Sequence, residues 1–339
     1  MLVPNESPKV LIVGPSWVGD MVMTQSLCAA LHQTYQDPHI DILAPQWSSP
    51  VIARMPGVRE AITHDIQHGE FSWKKRRQLG YELKQQAYDQ AIVIPGSWKS
   101  ALIPWLAKIP VRTGFLGEQR FGLLNDYHRL DKTLLPTMLE RLLFLANPSQ
   151  KPNISQQYYP VLHTQDATAA MHRLSMANQG GQSILALCPG AEFGDAKQWP
   201  AEHYGEVAKH QLDQGWQVWL FGSLKDQGIT AEINQMCQGR CMDLAGQTAL
   251  GEAIDLLSLV DLVVTNDSGL MHVACALGRR VICVYGSSSP RFTPPLSVKA
   301  EIVSLSLSCQ PCFKRTCQFG HRHCLTQLSS DHVLSHINH

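Results

Sequence analysis

Leu262-Val-Val-Thr-Asn-Asp-Ser-Gly-Leu-Met-His272 changes character halfway along. Its first residues are apolar and β-branched, the pattern of a strand buried on both faces. Asn266-Asp267-Ser268-Gly269 then turns the chain, and Leu270, Val273, Ala274 and Leu277 recur at helical spacing up to Gly278, a plausible C-cap. A buried strand that runs straight into a helix is the repeating unit of a parallel α/β sheet. The turn aims backbone N–H groups and the positive end of the helix at one point, which suits a diphosphate held without a metal. Asp267 reads either as the cap of this helix or as a partner for a hydroxyl or backbone group, since its charge repels a phosphate. His272 reads as a ligand donor or as a packed imidazole.

The same alternation spreads outward in both directions. Upstream, strands are predicted at Ser183–Leu187 and Gln217–Phe221, with helices over Ala201–Leu212 and Ala249–Leu257; downstream, a strand at Val281–Val284. Further upstream, Asn147, Pro148, Pro152, Asn153 and Pro160 punctuate the chain and Asn178-Gln-Gly-Gly-Gln182 reads as a loop. Before this break a second set appears: strands at Lys9–Val13, His39–Leu43 and Gln90–Ile94, and a helix over Met21–Thr34. The fold expected is α/β, with two Rossmann-like doubly wound domains, residues 1–170 and 171–339, facing a cleft; the last helix has the option of packing back on the first domain. A length of 339 residues agrees with two domains of about 150.

Composition excludes several classes. Hydrophobic residues are 44% and charged residues 17%, an ordinary globular balance. Lys+Arg and Asp+Glu both number 28, so no overall basic field points to nucleic acid, and an anionic partner must be met by a local patch. Met1–Pro8 has no cationic start and apolar core of a secretory signal, and no apolar run approaches the ~20 residues of a membrane span. The expected location is cytoplasmic, with ten reduced cysteines.

Candidate chemistry sits at the strand ends. After the first strand, Gly14-Pro-Ser-Trp-Val-Gly-Asp20 places two glycines at a strand-to-helix turn, without the middle glycine of a dinucleotide fingerprint. Asp20 reads as a helix N-cap and as a general base. Cys188-Pro-Gly-Ala-Glu-Phe-Gly-Asp-Ala-Lys-Gln-Trp-Pro200 is a second glycine-bearing loop, with Pro200 suited to open a helix. Lys197 in that loop reads as a point charge for phosphate or as a solvated lysine. Lys74-Lys-Arg-Arg77 is the only dense basic run, either a solvated face or an anion-binding patch with Lys99, Arg112 and Arg120. Cys309, Cys312, Cys317 and Cys324 follow C-x2-C-x4-C-x6-C, with His321 and His323 between. They read as structural zinc ligands, as plain thiols, or as a disulfide, and not as catalytic groups.

Val10–Thr24 with its Gly19-Asp20, Pro95-Gly-Ser-Trp-Lys-Ser100, Gly122-Leu-Leu-Asn-Asp126, Cys188–Pro200 and Thr265–His272, in that order, resemble the bacterial ADP-heptose:lipopolysaccharide heptosyltransferases of glycosyltransferase family 9, most nearly those of type II. The resemblance covers nearly the whole chain. It implies a GT-B enzyme that inverts, needs no metal or other cofactor, and moves L-glycero-D-manno-heptose from ADP-L-glycero-β-D-manno-heptose to the first heptose of the lipopolysaccharide inner core. It further implies that Asp20 is the base on the acceptor hydroxyl and that Lys197, Asp267, Ser268, Gly269 and His272 bind ADP-heptose. The implied acceptor is Kdo2-lipid A bearing one heptose, approached peripherally at the inner membrane with the basic residues against its phosphates and carboxylates. Competing readings are heptosyltransferase I, another GT-B sugar transferase, a nucleotide-sugar epimerase, and a non-catalytic nucleotide-sugar binder.

Overall fold

A computed structural model describes residues 7–67, 69–176 and 181–337 of the chain. The Met1–Pro8 start and the loop read at 178–182 lie largely outside these residues. The chain forms two compact units, Met1–Val161 and Leu162–His339.

The first unit runs β1 (Lys9–Val13), α1 (Val18–Thr34), β2 (His39–Pro45), α2 (Ser49–Ile52), β3 (Glu60–His64), α3 (Trp73–Lys84), β4 (Gln90–Val93), α4 (Trp98–Leu106), β5 (Val111–Phe115), β6 (Asp126–His128) and α5 (Met138–Ala146). Its strands form one sheet in the order β3-β2-β1-β4-β5-β6. All pairings are parallel: Lys9 stands opposite His39, and Val10 opposite both Ile40 and Gln90. Val10, Leu11 and Ile12 are wholly buried, as a central parallel strand covered on both faces requires. Each such side chain contributes about 1.5–3 kcal/mol of hydrophobic stabilisation. Helix α1 is buried over most of its length and packs on α5.

The second unit runs α6 (Ala167–Arg173), β7 (Ile184–Cys188), α7 (Ala201–Asp213), β8 (Gln217–Leu220), α8 (Gln227–Met236), β9 (Met242–Asp243), α9 (Leu250–Leu257), β10 (Leu262–Asn266), α10 (Gly269–Ala276), β11 (Arg280–Val284), β12 (Ala300–Val303), α11 (His323–Thr326) and α12 (Ser330–Ile337). Its sheet, again parallel, has the order β12-β11-β10-β7-β8-β9. Counted from its own first strand this is the order of the first sheet, so both units carry the Rossmann arrangement. The core gathers Leu185, Leu187, Val218, Val264, Ile282 and Val333 around buried Trp199 and Tyr204. Helix α6 belongs here because the Asp255 carboxylate accepts the amides of Gln165 (2.9 Å) and Asp166 (3.3 Å) just before it. Helix α12 packs on α7, β11 and β12 of the same unit.

In each sheet the strand order reverses beside the first strand, between β1 and β4 and between β7 and β10. Ligands of open α/β sheets bind at the carboxyl ends beside such a switch point. The loops singled out in the sequence, 14–17, 95–97, 189–199 and 267–268, all leave from these positions.

Candidate active site

Asn266, the last residue of β10, organises the second unit's switch point. Its side-chain oxygen accepts the Trp199 amide (3.1 Å) and the Tyr204 hydroxyl (3.1 Å), and its amide nitrogen donates to the Pro189 carbonyl (2.8 Å). A wholly buried amide with every contact satisfied is rigid, because each lost partner leaves a polar atom stranded. The β10 turn is thereby stapled to the loop after β7, which bears Lys197. Gly194 lets that loop turn: its φ is +149°, and a Cβ would collide with the Arg315 carbonyl.

Across the staple, Lys197 Nζ lies 2.6 Å from Asp267 Oδ2, with the two side chains only 17% and 5% exposed. Lys197 Nζ also stands 4.9 Å from the centre of the Phe193 ring. Asp267 takes one of the ammonium's three donors and leaves two. Next to the pair, Ser268 is the N-cap of α10 in extended conformation and makes no side-chain capping bond; its hydroxyl is 3.3 Å from that of Thr265. The first-turn amides that open at Gly269 have no intrahelical acceptor and form an anion-receptive end beside the ammonium. His272 is buried under this turn. Burial pushes its imidazole down to about 4, with Lys197 acting in the same direction and Asp267 against it, so it is neutral near pH 7.

Three local expectations are corrected. Asp267 is not the cap of α10; Ser268 holds that position because Asp267 is drawn aside to Lys197. Pro200 is the N-cap of α7 and not its first residue, since its ψ of 143° is extended. Asp20 is not the cap of α1: Trp17 is, at φ −122°, and Asp20 lies in the first helical turn, where a carboxylate favours the positive helix end. Gly278 does close α10, at φ +68°.

In the first unit, Asp20 is half-buried at the switch-point end of β1, with its carbonyl accepting the Thr24 hydroxyl (2.9 Å). The basic residues fall into two groups. Lys74, Lys75 and Arg77 are exposed on α3, Lys75 paired with Asp65 at 2.7 Å, and Lys99 Nζ reaches the Gly69 carbonyl at 3.1 Å. The others brace backbone. Arg76 donates to the carbonyls of Phe71, Lys99 and Glu70. Arg112 donates to those of Leu123 and Ile109. Arg120 is 1% exposed and donates to the carbonyls of Pro95, Ser97 and Phe115, and burial lowers its pKa to about 10.

Two features were not read from the sequence. One is the Asn266 staple, whose only local signal is a polar residue ending a β-branched strand. The other is Ser287-Ser-Ser289 after β11, buried at the carboxyl end of that strand; the Ser287 and Ser288 hydroxyls make no hydrogen bond. A strand followed by small polar residues is the same signal that marked residues 265–269. The cysteines at 309, 312, 317 and 324 are partly exposed thiols. Among the described residues, no three His, Cys, Asp or Glu side chains close on a point as a formed metal site, and no helix is long and apolar enough to cross a membrane.

Two doubly wound parallel sheets, with a lysine and an open helix end at the switch point of the second, have the architecture of the GT-B class of glycosyltransferases. The model of glycosyltransferase family 9 (heptosyltransferase) matches residues 76–323. Lipopolysaccharide heptosyltransferase 2 of Escherichia coli (strain K12) is 44% identical over 339 residues, covering 97% of this chain and 97% of the relative. Lipooligosaccharide heptosyltransferase 2 of Haemophilus influenzae is 45% identical over 307 residues, covering 87% of this chain and 88% of the relative. The solved structure of E. coli ADP-heptose lps heptosyltransferase II superposes with a TM-score of 0.83 at 42% identity, over 97% of each chain. The chain belongs to glycosyltransferase family 9, the heptosyltransferases.

Proposed function

We propose that the protein transfers L-glycero-D-manno-heptose from ADP-heptose to the first heptose of the lipopolysaccharide inner core, with inversion and without a catalytic metal or cofactor. The observation that carries this reading is the 44% identity that runs through 97% of both this chain and a lipopolysaccharide heptosyltransferase 2.

In this reading, Asp20 accepts the proton of the acceptor hydroxyl as its oxygen attacks the anomeric carbon. The bond from that carbon to the β-phosphate oxygen breaks, and ADP leaves with the electron pair. One displacement by one nucleophile inverts the carbon. A general base of this kind contributes about 10²–10⁴-fold. Lys197 and the first-turn amides of α10 at Ser268 and Gly269 take the charge that grows on the diphosphate, the part a metal plays in other transferases. Asp267 holds the lysine in place, and neutral His272 supports the turn from beneath.

The acceptor proposed is Kdo2-lipid A bearing one heptose, met at the cytoplasmic face of the inner membrane. Exposed Lys74, Lys75 and Arg77, with Lys99 beside them, are the cations suited to its phosphates and carboxylates. Arg112 and Arg120 brace backbone loops of the first unit and are not offered to the acceptor.

The test follows ADP release from ADP-heptose with this acceptor in the presence of EDTA, and assigns the new linkage by NMR. ADP released at an undiminished rate, with the anomeric configuration inverted, supports the reading; retention, or activity abolished by EDTA, contradicts it.

A further inference from the structure

The stretch 305–326 takes no part in the proposed transfer, yet it is the chain's densest cluster of soft metal donors. Cys309, Cys312, Cys317 and Cys324 line one cavity of about 20 Å³, together with Ser287 and Ala196. That volume suits a single water-sized occupant. The backbone around the sulfurs is folded back on them. Phe313, directly after the Cys309-Gln-Pro-Cys312 pair, has φ +54°, a conformation that costs a bulky residue energy and curls the chain around the pair. Gly320 has φ +75°, and its amide donates to the Cys317 carbonyl (3.1 Å), which tightens the turn after that cysteine.

A second, independent observation concerns Ser287, which lines the same cavity. The Ser287 hydroxyl is buried, 1% exposed, and has no hydrogen-bond partner, although it borders the same ring of cysteines. Buried hydroxyls are rarely left so, and metal-bound thiolates are strong acceptors for such a donor. The stretch also lacks a core of its own, with Phe313 54% and Phe319 59% exposed. A segment that buries so little needs a cross-link to hold one shape.

We propose that Cys309, Cys312, Cys317 and Cys324 bind one thiophilic divalent metal ion, zinc in the first instance, as a closed tetrathiolate centre. The sulfurs line the walls of the cavity without meeting at one point; in a tetrathiolate zinc centre each would stand ~2.3 Å from the ion. Four thiolates leave no open position, so the centre is structural and not catalytic. It fixes a strap sewn to the loop that bears Lys197 and to the loop after β11. The Ala196 amide donates to the Arg315 carbonyl (3.1 Å), next to Lys197, and the Phe313 amide donates to the Ser287 carbonyl (2.7 Å). Gln310 adds a bond from Nε2 to the Gly286 carbonyl (2.9 Å).

The test uses the full-length protein, without a metal-binding tag, dialysed against EDTA. Elemental analysis is expected to find about one equivalent of zinc or iron per chain, absent from C309S/C324S. Cobalt reconstitution of the wild type is expected to give the intense visible bands of tetrahedral thiolate ligation, and metal removal by an organomercurial to lower the melting temperature. Less than about a tenth of an equivalent of either metal, with the four thiols equally reactive whether or not Zn²⁺ is added, overturns the proposal. So does a disulfide among the four, metal unchanged in the double variant, or a melting temperature indifferent to metal removal. The wild-type measurements decide the matter even if the variant does not fold.

Discussion

Lys197 and Asp267 are 70 residues apart in the chain and 2.6 Å apart at the switch point of the second sheet. Enclosing an ammonium to this degree costs solvation, which the carboxylate beside it offsets. The pair thus presents a fixed, half-neutralised cation beside the open end of α10. Lys197→Ala is expected to weaken ADP binding and slow transfer. Asp267→Asn is expected to do the same through a misplaced lysine. The double variant is expected to be little worse than either, with a coupling of about 1–3 kcal/mol in a double-mutant cycle read from ADP affinity. Additive effects would mean that the two residues act separately.

Asp20 is assigned to the chemical step, so Asp20→Asn is expected to lower kcat by about 10²–10⁴-fold while ADP affinity stays unchanged. The substitution keeps size and position in the first turn of α1, which limits the structural cost. Titration calorimetry with ADP beside steady-state kinetics separates the two quantities. A variant that retains kcat removes Asp20 from the chemistry.

His272 predicts a pH dependence of stability. Its folded imidazole titrates near 4, against 6.5 in the unfolded chain, chiefly because it is buried. Between these values the unfolded state binds the extra proton, so stability falls as pH drops through the window and is complete above it. The sum over the window is about 3 kcal/mol. Melting curves of the wild type and His272→Asn across that range check this: the variant is expected to lose correspondingly less on acidification. Parallel losses would assign acid sensitivity to other groups.

The basic residues of the first unit are expected to separate by burial. Arg120→Ala strands the part-buried carbonyls of Pro95, Ser97 and Phe115 and is expected to cost about 3 kcal/mol in urea unfolding. Lys74→Ala and Arg77→Ala, exposed on α3, are expected to leave stability within about 0.5 kcal/mol. They are expected instead to raise the KM for the anionic acceptor and flatten its salt dependence. An unchanged KM would return this run to an ordinary solvated helix face.

The central strands were legible because burial on both faces writes them as unbroken apolar runs: β1, β7, β10 and β11 were found to within a residue or two. Glu60-Ala-Ile-Thr-His64, Asp126-Tyr-His128 and Met242-Asp243 were not, because these short outer strands are partly exposed and carry polar side chains. Lys197 and the 265–272 turn stood out through local pattern. Their ion pair did not, because the sheet order that joins residues 70 positions apart is a tertiary fact. Arg120 shows the same limit from the other side. In sequence it resembles the exposed basic residues, and only packing shows it spent on the carbonyls of Pro95, Ser97 and Phe115.

Transfer to the first heptose is decided by offering ADP-heptose with Kdo2-lipid A that bears one heptose and, in parallel, with Kdo2-lipid A that bears none, and weighing the glycolipid products by mass spectrometry. A gain of one heptose on the first acceptor alone is expected. A gain on the heptose-free acceptor, or on neither while ADP still binds, would contradict the proposed function.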